Sequence, residues 1–227
     1  MAVAPLRRKT VSNEAARRVP RQERAARTLD ALLEAAADAF AERGFEAATM
    51  TQIAQQAGVS IGAAYQYFPN KDALALALRQ RYGDEMDARW SALVEVQAQA
   101  QAQTQTQTQT QTQTSGELPP AQLAERLLDM MVELMDAYPA YLPLLSVSLG
   151  FRRDEAARNK LRQRFATLFR RYNAALGADD AYRVAEVMLQ VIKSLNLLYA
   201  SAKPKERKLL VAEYKGVLAA WLAVRLA

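Results

Sequence analysis

The chain lacks cysteine and histidine altogether among its 227 residues. It therefore has no disulfide, no thiol nucleophile, no histidine general base and none of the usual ligands of zinc, haem or iron–sulfur clusters. Aspartate and glutamate remain as ligands for magnesium, but the sequence does not cluster them at ligand spacing. We expect no catalytic residues, no metal site and no cofactor. The absence of cysteine also fits a reducing cytoplasm, which is the compartment that we expect.

Long apolar runs are missing as well, although hydrophobic residues make up 51% of the chain. No run approaches the ~18–20 uninterrupted apolar residues that a membrane span needs. The basic cluster from Arg7 to Lys9 is not followed by an apolar stretch, so we expect no secretory signal. The composition suits a sizeable hydrophobic core in one or two globular domains.

The net charge of +6 is concentrated near the N-terminus. Residues 1–30 contain eight Arg and Lys residues against Glu14, Glu23 and Asp30, which leaves the rest of the chain close to neutral. We interpret residues 1–20 as a basic flexible arm, whose charge fits a polyanionic partner at one end of the molecule. A solvated tail without a partner is the alternative interpretation.

The spacing of apolar residues is helical along nearly the whole chain, and no segment alternates as a half-buried strand would. We predict an all-α fold with a small three-helix N-terminal domain at residues 21–70 and a larger helical domain at residues 71–227. The predicted helices cover about residues 21–43, 50–57, 61–68, 71–93, 123–135, 139–149, 151–176, 179–202 and 205–226.

Residues 97–118 include a low-complexity run of Gln-Ala and then Gln-Thr dipeptides. Its two-residue period imitates a strand, but every position from Gln103 to Ser115 is polar, so the run cannot build a core. We predict a flexible linker between two helices, with at most a frayed helical extension in its first residues.

A helix-turn-helix is predicted at residues 49–71. Thr49 and Gln52 fit a capping box at the start of the first short helix. Ser60 fits the N-cap of the second helix, which follows a glycine-containing turn. Small residues early in that helix, such as Gly62, leave clearance for entry into a DNA major groove about 12 Å wide. On this motif alone, two ordinary core helices with a tight turn are the alternative.

The segment ATMTQIAQQAGVSIGAAYQYFPNKDAL closely resembles the DNA-binding signature of the TetR family, and the resemblance covers about residues 24–75. It implies an N-terminal helix-turn-helix domain for DNA and a C-terminal domain for ligand binding and dimerisation. The DNA-binding positions that it implies are Thr49, Gln52, Ser60, Ile61, Gly62, Ala63, Tyr65, Gln66, Tyr67 and Lys71. Among these, the resemblance implies phosphate contacts for Thr49, Tyr67 and Lys71, and both a DNA backbone contact and a packing role for Tyr65. Ile61 departs from the family pattern, because many members carry a polar or basic residue there.

The penultimate predicted helix carries apolar residues on more than one face, and the last helix carries them along one face. One side of this pair can pack on its own domain, and we predict that a further surface covers the other side. A two-fold interface, in which one patch meets its own copy, is the simplest solution. TetR-like proteins dimerise through these helices, so the resemblance implies a homodimer with its interface at Val191, Leu195, Leu198, Tyr214, Leu218 and Trp221. The alternative is that both helices lie inside the core of one chain.

A small-molecule effector is also implied by the resemblance, bound within the helical body. The candidate lining residues combine adaptable methionines with aromatic rings. They are Met131, Met135, Tyr138, Tyr141, Phe151, Phe165 and Tyr172, and for each of them ordinary core packing is the alternative.

These observations together predict a sequence-specific, DNA-binding transcription regulator, most simply a repressor that a ligand releases from its double-stranded operator. This interpretation includes no enzymatic activity and no membrane partner. Two other classes stay open, namely a basic DNA-binding protein without an effector that tolerates many sequences, and a helical enzyme. An activator is also open, because the sign of regulation depends on promoter layout.

Overall fold

A computed structural model describes residues 15–106, 118–147 and 155–227 of the chain. These described residues form nine α-helices and no β-strand, which confirms the predicted all-α class. None of these helices is both long and apolar enough to cross a bilayer. The helices are α1 (Ala15–Ala47), α2 (Met50–Gln56), α3 (Ile61–Tyr67), α4 (Lys71–Thr106), α5 (Pro120–Ala137), α6 (Tyr141–Leu145), α7 (Glu155–Tyr172), α8 (Ala178–Ser201) and α9 (Pro204–Arg225).

The N-terminal helices enclose a small core of their own. Phe40 of α1, Ile53 of α2 and Leu74 of α4 are fully buried in it. Helix α1 bends at Gly44, whose φ of 77° lies in the region that favours glycine. The bend brings Phe45 back onto Phe40, with the two ring centroids 5.4 Å apart. The predicted end of this helix at about residue 43 is therefore seen as a bend at Gly44, which closes the first core.

Helix α4 belongs to both cores of the molecule. Leu78 and Tyr82 are buried in the first core, whereas Met86 and Trp90 are buried in the second. These four residues recur every fourth position, so they share one face of the helix. The first core therefore extends along α4 beyond the domain boundary predicted after residue 70. One continuous helix joins the two parts of the fold.

The second core is built by α5, α7, α8 and α9 on the remaining length of α4. Helix α8 packs against both α7 and α9, and α9 also packs on α5. The buried residues recur at helical spacing and include Leu123, Leu127, Leu134, Phe165, Phe169, Met188 and Ile192. Within the described residues, this arrangement leaves one side of α8 and of α9 without a packing partner.

Helix α6 is a short element between the two cores. It packs against α1, α4 and α8. Ala140, just before the helix, and Leu144 within it are buried in the first core. Tyr141 packs against both cores. This helix therefore contacts the N-terminal helices on one side and the helical body on the other.

The segment predicted as a linker is helical in its first part. Helix α4 continues to residue 106, and Gln97 is buried with its Oε1 atom accepting a hydrogen bond of 2.6 Å from the backbone N–H of Leu118. Gln and Ala both have good helix propensity, and the buried Gln97 amide finds a backbone partner. The prediction of a linker from residue 97 is therefore wrong up to residue 106. Residues 107–117 lie outside the described residues.

Helix α1 begins earlier than predicted, at Ala15 instead of after Pro20. The two Ala and two Arg residues that open the helix have high helix propensity. The prediction of a flexible arm is therefore corrected for residues 15–20. Residues 1–14 lie outside the described residues.

Candidate functional site

The helix-turn-helix formed by α2 and α3 is held by side-chain caps at both helix starts. Thr49 Oγ1 accepts a hydrogen bond of 3.3 Å from the backbone N–H of Gln52, and Gln52 Oε1 accepts one of 3.3 Å from the N–H of Thr49. Ser60 Oγ accepts a hydrogen bond of 3.1 Å from the N–H of Ala63. Between the helices, Gly58 has a φ of 70°, which favours glycine. Both predicted caps are confirmed.

One face of α3 is open to solvent. Ile61, Gly62, Tyr65 and Gln66 are exposed, and their spacing places them side by side on the helix. A Cβ atom added at Gly62 would have no heavy atom within 4 Å. On the opposite side, Ala64 is fully buried in the first core. The helix is therefore anchored by its inner face and presents these four exposed positions to a partner. The predicted contact Ala63 lies half-buried at their edge.

The two tyrosines of α3 have different surroundings. Tyr67 is half-buried and packs against the first core, whereas Tyr65 is 50% exposed. The packing role that the resemblance implies for Tyr65 therefore belongs to Tyr67. Tyr65 is left as an aromatic side chain on the open face.

Lys71 ties the start of α4 to the end of α1. Its ammonium donates hydrogen bonds of 2.7 Å to the carbonyl of Phe45 and 3.0 Å to the carbonyl of Glu46, and it lies 4.5 Å from the Phe45 ring centroid. Carbonyls near a helix C-terminus need such donors. An ammonium has three N–H donors, so one more is available for a phosphate. This positioning role was not predicted from the sequence.

We expect Ser60→Ala to lower the free energy of unfolding by about 1 kcal/mol, because the N–H of Ala63 loses its acceptor. Chemical denaturation followed by circular dichroism measures the change. The matched control is Ser201→Ala, since the Ser201 hydroxyl only donates to carbonyls of its own helix. Equal losses in the two variants would contradict a capping role for Ser60.

A cavity of about 390 Å³ opens where α4, α5, α6, α7 and α8 meet. Its volume lies within the range of about 300–1,000 Å³ that is typical of small-molecule sites. The lining combines aromatic, aliphatic and cationic side chains from five helices. They are Arg79, Tyr82, Gly83, Met86, Trp90, Met131, Tyr141, Leu145, Arg158, Lys193, Asn196 and Leu197.

Polar groups in the cavity wall are held in place by one another. The Asn196 side-chain N–H donates a hydrogen bond of 3.0 Å to the Tyr141 hydroxyl, and the Tyr141 and Tyr82 ring centroids are 6.0 Å apart. Burial raises the pKa of Tyr82 to about 12, so its hydroxyl stays neutral. Among the described residues, no group of three or more acidic side chains is placed to hold a metal ion.

Two of the seven predicted lining residues, Met131 and Tyr141, do line this cavity. Phe165 is fully buried in the second core, so its prediction is wrong. Tyr172 is also misplaced in the prediction, because its hydroxyl donates a hydrogen bond of 2.6 Å to the carbonyl of Leu118 and its ring packs on the second core.

Met135 and Tyr138 lie beside the cavity and not in its wall. Met135 is buried in the second core and Tyr138 stacks on Tyr82 with ring centroids 4.7 Å apart. Phe151 lies outside the described residues. The lining that sequence reasoning missed comes largely from α4, where the spacing of Tyr82, Met86 and Trp90 was a signal for one shared face.

The unpartnered sides of α8 and α9 carry exposed apolar residues. Val187 and Leu198 on α8 are 47% and 46% exposed, and Val217 and Val224 on α9 are 62% and 77% exposed. Such large apolar side chains at helical spacing indicate an association surface. Of the predicted interface residues, Leu198 is part of this surface.

Two predicted interface residues point into the protomer. Leu195 is 0% and Leu218 is 1% exposed, because both pack in the second core, so their assignment to an interface is wrong. Val191, Tyr214 and Trp221 are half-buried and border the exposed face. The Tyr214 hydroxyl and Ser194 Oγ lie 2.9 Å apart and join α9 to α8.

The structure combines a capped helix-turn-helix, whose second helix has an exposed face, with a helical body that contains a cavity. One long helix joins the two parts. This combination defines the class of helix-turn-helix regulators. Two family models match the chain and together cover well over half of it. The model of bacterial regulatory proteins of the TetR family matches residues 32–78, and the model of the tetracyclin repressor-like C-terminal domain matches residues 119–222. The chain belongs to the TetR family of DNA-binding transcription regulators.

Curated relatives match over short stretches. The transcriptional activator FasR of Mycolicibacterium smegmatis is 43% identical over 74 residues, which is 33% of this chain and 32% of that protein. The transcriptional repressor KstR2 of Mycobacterium tuberculosis is 39% identical over 64 residues, 28% of this chain and 32% of that protein. The chain thus spans about a third of the length of these two relatives.

Solved structures share the fold over most of the chain. A TetR-family regulator from Streptomyces coelicolor has a TM-score of 0.53 and 22% identity, and the match covers 87% of this chain and 98% of that one. A TetR variant from Acinetobacter baumannii, solved in complex with minocycline, has a TM-score of 0.55 and 14% identity over 85% of this chain and 93% of that one. At sequence identities this low, the similarity to these structures shows a shared fold and nothing further.

Proposed function

We propose that this protein is a repressor that binds a double-stranded DNA operator as a homodimer and leaves it when a small molecule enters the cavity. The open face of α3 carries the proposal, because a helix anchored by its inner side and bare on its outer side suits a major groove. Such a regulator acts in the bacterial cytoplasm, where the chromosome lies. No catalytic step is part of the proposed function.

The chemistry of the exposed face supports sequence reading. Gln66 offers an amide donor and acceptor, which together can pair with an adenine edge, and Ile61 offers an apolar contact for a thymine methyl. Tyr65 offers a hydroxyl for a base or a phosphate. Thr49 and Lys71 lie at the two flanking helix starts, where they would contact phosphates that fix the register.

The exposed apolar stripe of α8 and α9 supports a dimer. Val217 and Val224 lie on α9 with the exposed Ala220 between them, and the exposed Gly216 directly precedes Val217. Small residues let a second helix approach closely, and an isologous contact would cover all of these positions at once. Two copies of α3 would then meet two half-sites, which gives the reading specificity that one short helix lacks.

Coupling between cavity and DNA is supported by two elements that belong to both. On α6, Tyr141 and Leu145 line the cavity while Leu144 is buried in the first core. On α4, Tyr82 lines the cavity and is also buried in the first core. A ligand that pushes on these side chains would shift the N-terminal helices. To move the operator from mostly bound to mostly free, the ligand must bind the released state of the protein about 10⁴-fold more tightly, which is ~5.5 kcal/mol.

A reporter assay tests the sign of regulation. The DNA upstream of the gene is fused to a fluorescent reporter in a host that lacks the protein, and the protein is then expressed from a second plasmid. We expect expression of the protein to lower the reporter signal by about tenfold. The signal should stay unchanged when the operator sequence that α3 binds is scrambled in the reporter DNA. A rise in the signal on expression would show an activator and contradict the proposed repression.

A further inference from the structure

Three buried side-chain atoms in the described part of the chain have no hydrogen-bond partner, and all three belong to the wall of the same cavity. They are Trp90 Nε1, Arg158 Nε and Asn196 Oδ1. Trp90 is 3% and Asn196 is 7% exposed, so solvent does not supply the missing partners. Leaving a buried donor or acceptor unpaired is costly, and native proteins rarely do so without a reason. Their concentration at one cavity indicates a polar group of a ligand.

The charged side chains that line the cavity in the described part of the chain are all cations. Arg79, Arg158 and Lys193 line the cavity, and among the described residues no Asp or Glu does so. Carboxylates nearby neutralise this charge in part. Glu155 forms an ion pair of 2.7 Å with Arg158, and Asp87 lines the smaller neighbouring cavity.

The guanidinium of Arg79 is partly removed from solvent in the cavity wall. Its Nη1 atom donates a hydrogen bond of 3.1 Å to the carbonyl of Val147, a neutral acceptor. Burial lowers the pKa of Arg79, because the charged guanidinium loses hydration. An anion in the cavity would compensate for this loss. The rest of the wall is apolar or aromatic, with Met86, Leu145 and Leu197 among its residues.

We propose that this cavity binds an organic anion, a carboxylate or a similar oxyanion joined to an apolar body. The oxyanion accepts hydrogen bonds from Arg158 Nε and Trp90 Nε1, the two unpaired donors, and pairs with the surrounding cations. The apolar body lies against the methionine, leucine and tyrosine side chains of the wall. This assignment rests on the proposed role of the cavity as the effector site, and it specifies the chemistry of the effector.

Matched probes test the charge requirement by calorimetric titration of the full-length protein without DNA. 4-Phenylbutanoate, 4-phenylbutan-1-ol and 4-phenylbutylamine share one body and differ in the charge of the head group. We expect the anion to bind at least about tenfold more tightly than the alcohol, and the amine to bind most weakly. Equal binding of anion and alcohol, tighter binding of the amine, or no binding of the anion below a Kd of about 10 mM would overturn the proposal.

Variants locate the anion. Arg158→Met keeps an unbranched stem and removes the charge, so the preference for the anion over the alcohol should fall about tenfold. Arg158→Lys should retain part of that preference. Arg170→Met is the matched control, because Arg170 is exposed about 18 Å further along the same helix. If Arg158→Met unfolds at the wild-type temperature and keeps the full preference for the anion, the proposal is wrong.

The indole N–H signals give a second measurement that does not depend on affinity differences. The chain has two tryptophans, Trp90 in the cavity wall and Trp221 on α9. In a ¹⁵N-labelled sample, 4-phenylbutanoate should move the Trp90 indole signal downfield as the N–H gains an acceptor, and leave that of Trp221 in place. Trp90→Phe assigns the signals. A shift confined to Trp221 would contradict the proposed site.

The failure of this proposal can be told apart from failure of the proposed repressor function. If the anion binds with the expected preference but leaves operator affinity unchanged, the anion site stands and ligand release of DNA fails. If the neutral alcohol binds as well as the anion and still releases the operator, the repressor function stands and the anion assignment fails.

Discussion

Gly62→Glu is expected to abolish operator binding while leaving the fold intact. The added Cβ has no heavy atom within 4 Å, and the position lies on the exposed face of α3 beside Ile61 and Gln66. The carboxylate would face the phosphates and base edges of the groove without a partner. We expect a loss of about 100-fold, or ~2.7 kcal/mol, for each half-site. A dimer that reads two half-sites would lose about 10⁴-fold in total. Fluorescence anisotropy with labelled operator DNA measures this loss.

Two controls separate this effect from general charge and from steric bulk. Ala92→Glu adds the same charge at an exposed position of α4, about 30 Å along that helix from its start, and should leave affinity nearly unchanged. Gly62→Ala adds only a methyl group to an open position and should cost far less than Gly62→Glu. Wild-type affinity in folded Gly62→Glu would show that α3 does not enter the groove.

Val217→Arg is expected to convert the protein into a monomer. Val217 is 62% exposed in the protomer, so the substitution leaves the second core undisturbed. In a two-fold interface of α8 and α9, two copies of the arginine would be buried close together without a partner charge. Unpaired buried charges cost several kcal/mol. Mass measurement by light scattering should show a single protomer, and operator affinity should fall by about 10³-fold or more because each molecule then offers one reading helix.

Val96→Arg is the matched control for that substitution. Val96 is 56% exposed on α4, which is not one of the two helices of the proposed interface, so the same change of residue should leave the mass of the dimer unaltered. Thermal unfolding of both variants checks that the protomer fold is kept. A dimeric Val217→Arg protein with wild-type affinity would contradict the proposed interface.

The features of the DNA-binding part that could be predicted are local in the sequence. Thr49 and Ser60, both predicted as caps, and Asn70 each accept a hydrogen bond from the amide three residues further on. A cap depends only on a few neighbouring residues, so sequence alone places it well. The link from Lys71 to Phe45 joins residues 26 positions apart and depends on the bend in α1, so no local pattern indicates it.

The cavity and the exposed apolar face of α8 and α9 show the limit of what helical periodicity can predict. On α8, Leu195 is buried and Leu198 is exposed, although both are leucines one helical turn apart. Helical spacing defines the faces of a helix but not which face turns inward, because that depends on the neighbouring helices. The charged wall of the cavity is equally hidden in the sequence, since Arg79, Arg158 and Lys193 come from three separate helices.

The most direct test of the account is a fluorescence-anisotropy titration of the purified protein against the intergenic DNA upstream of its own gene. A scrambled duplex of the same composition is titrated in parallel at two salt concentrations. The account predicts that the native duplex binds at least ~10³-fold more tightly than the scrambled one. It also predicts that Gly62→Glu removes this difference. Equal, salt-sensitive binding to both duplexes would contradict it, because contacts to phosphates alone would then explain the affinity.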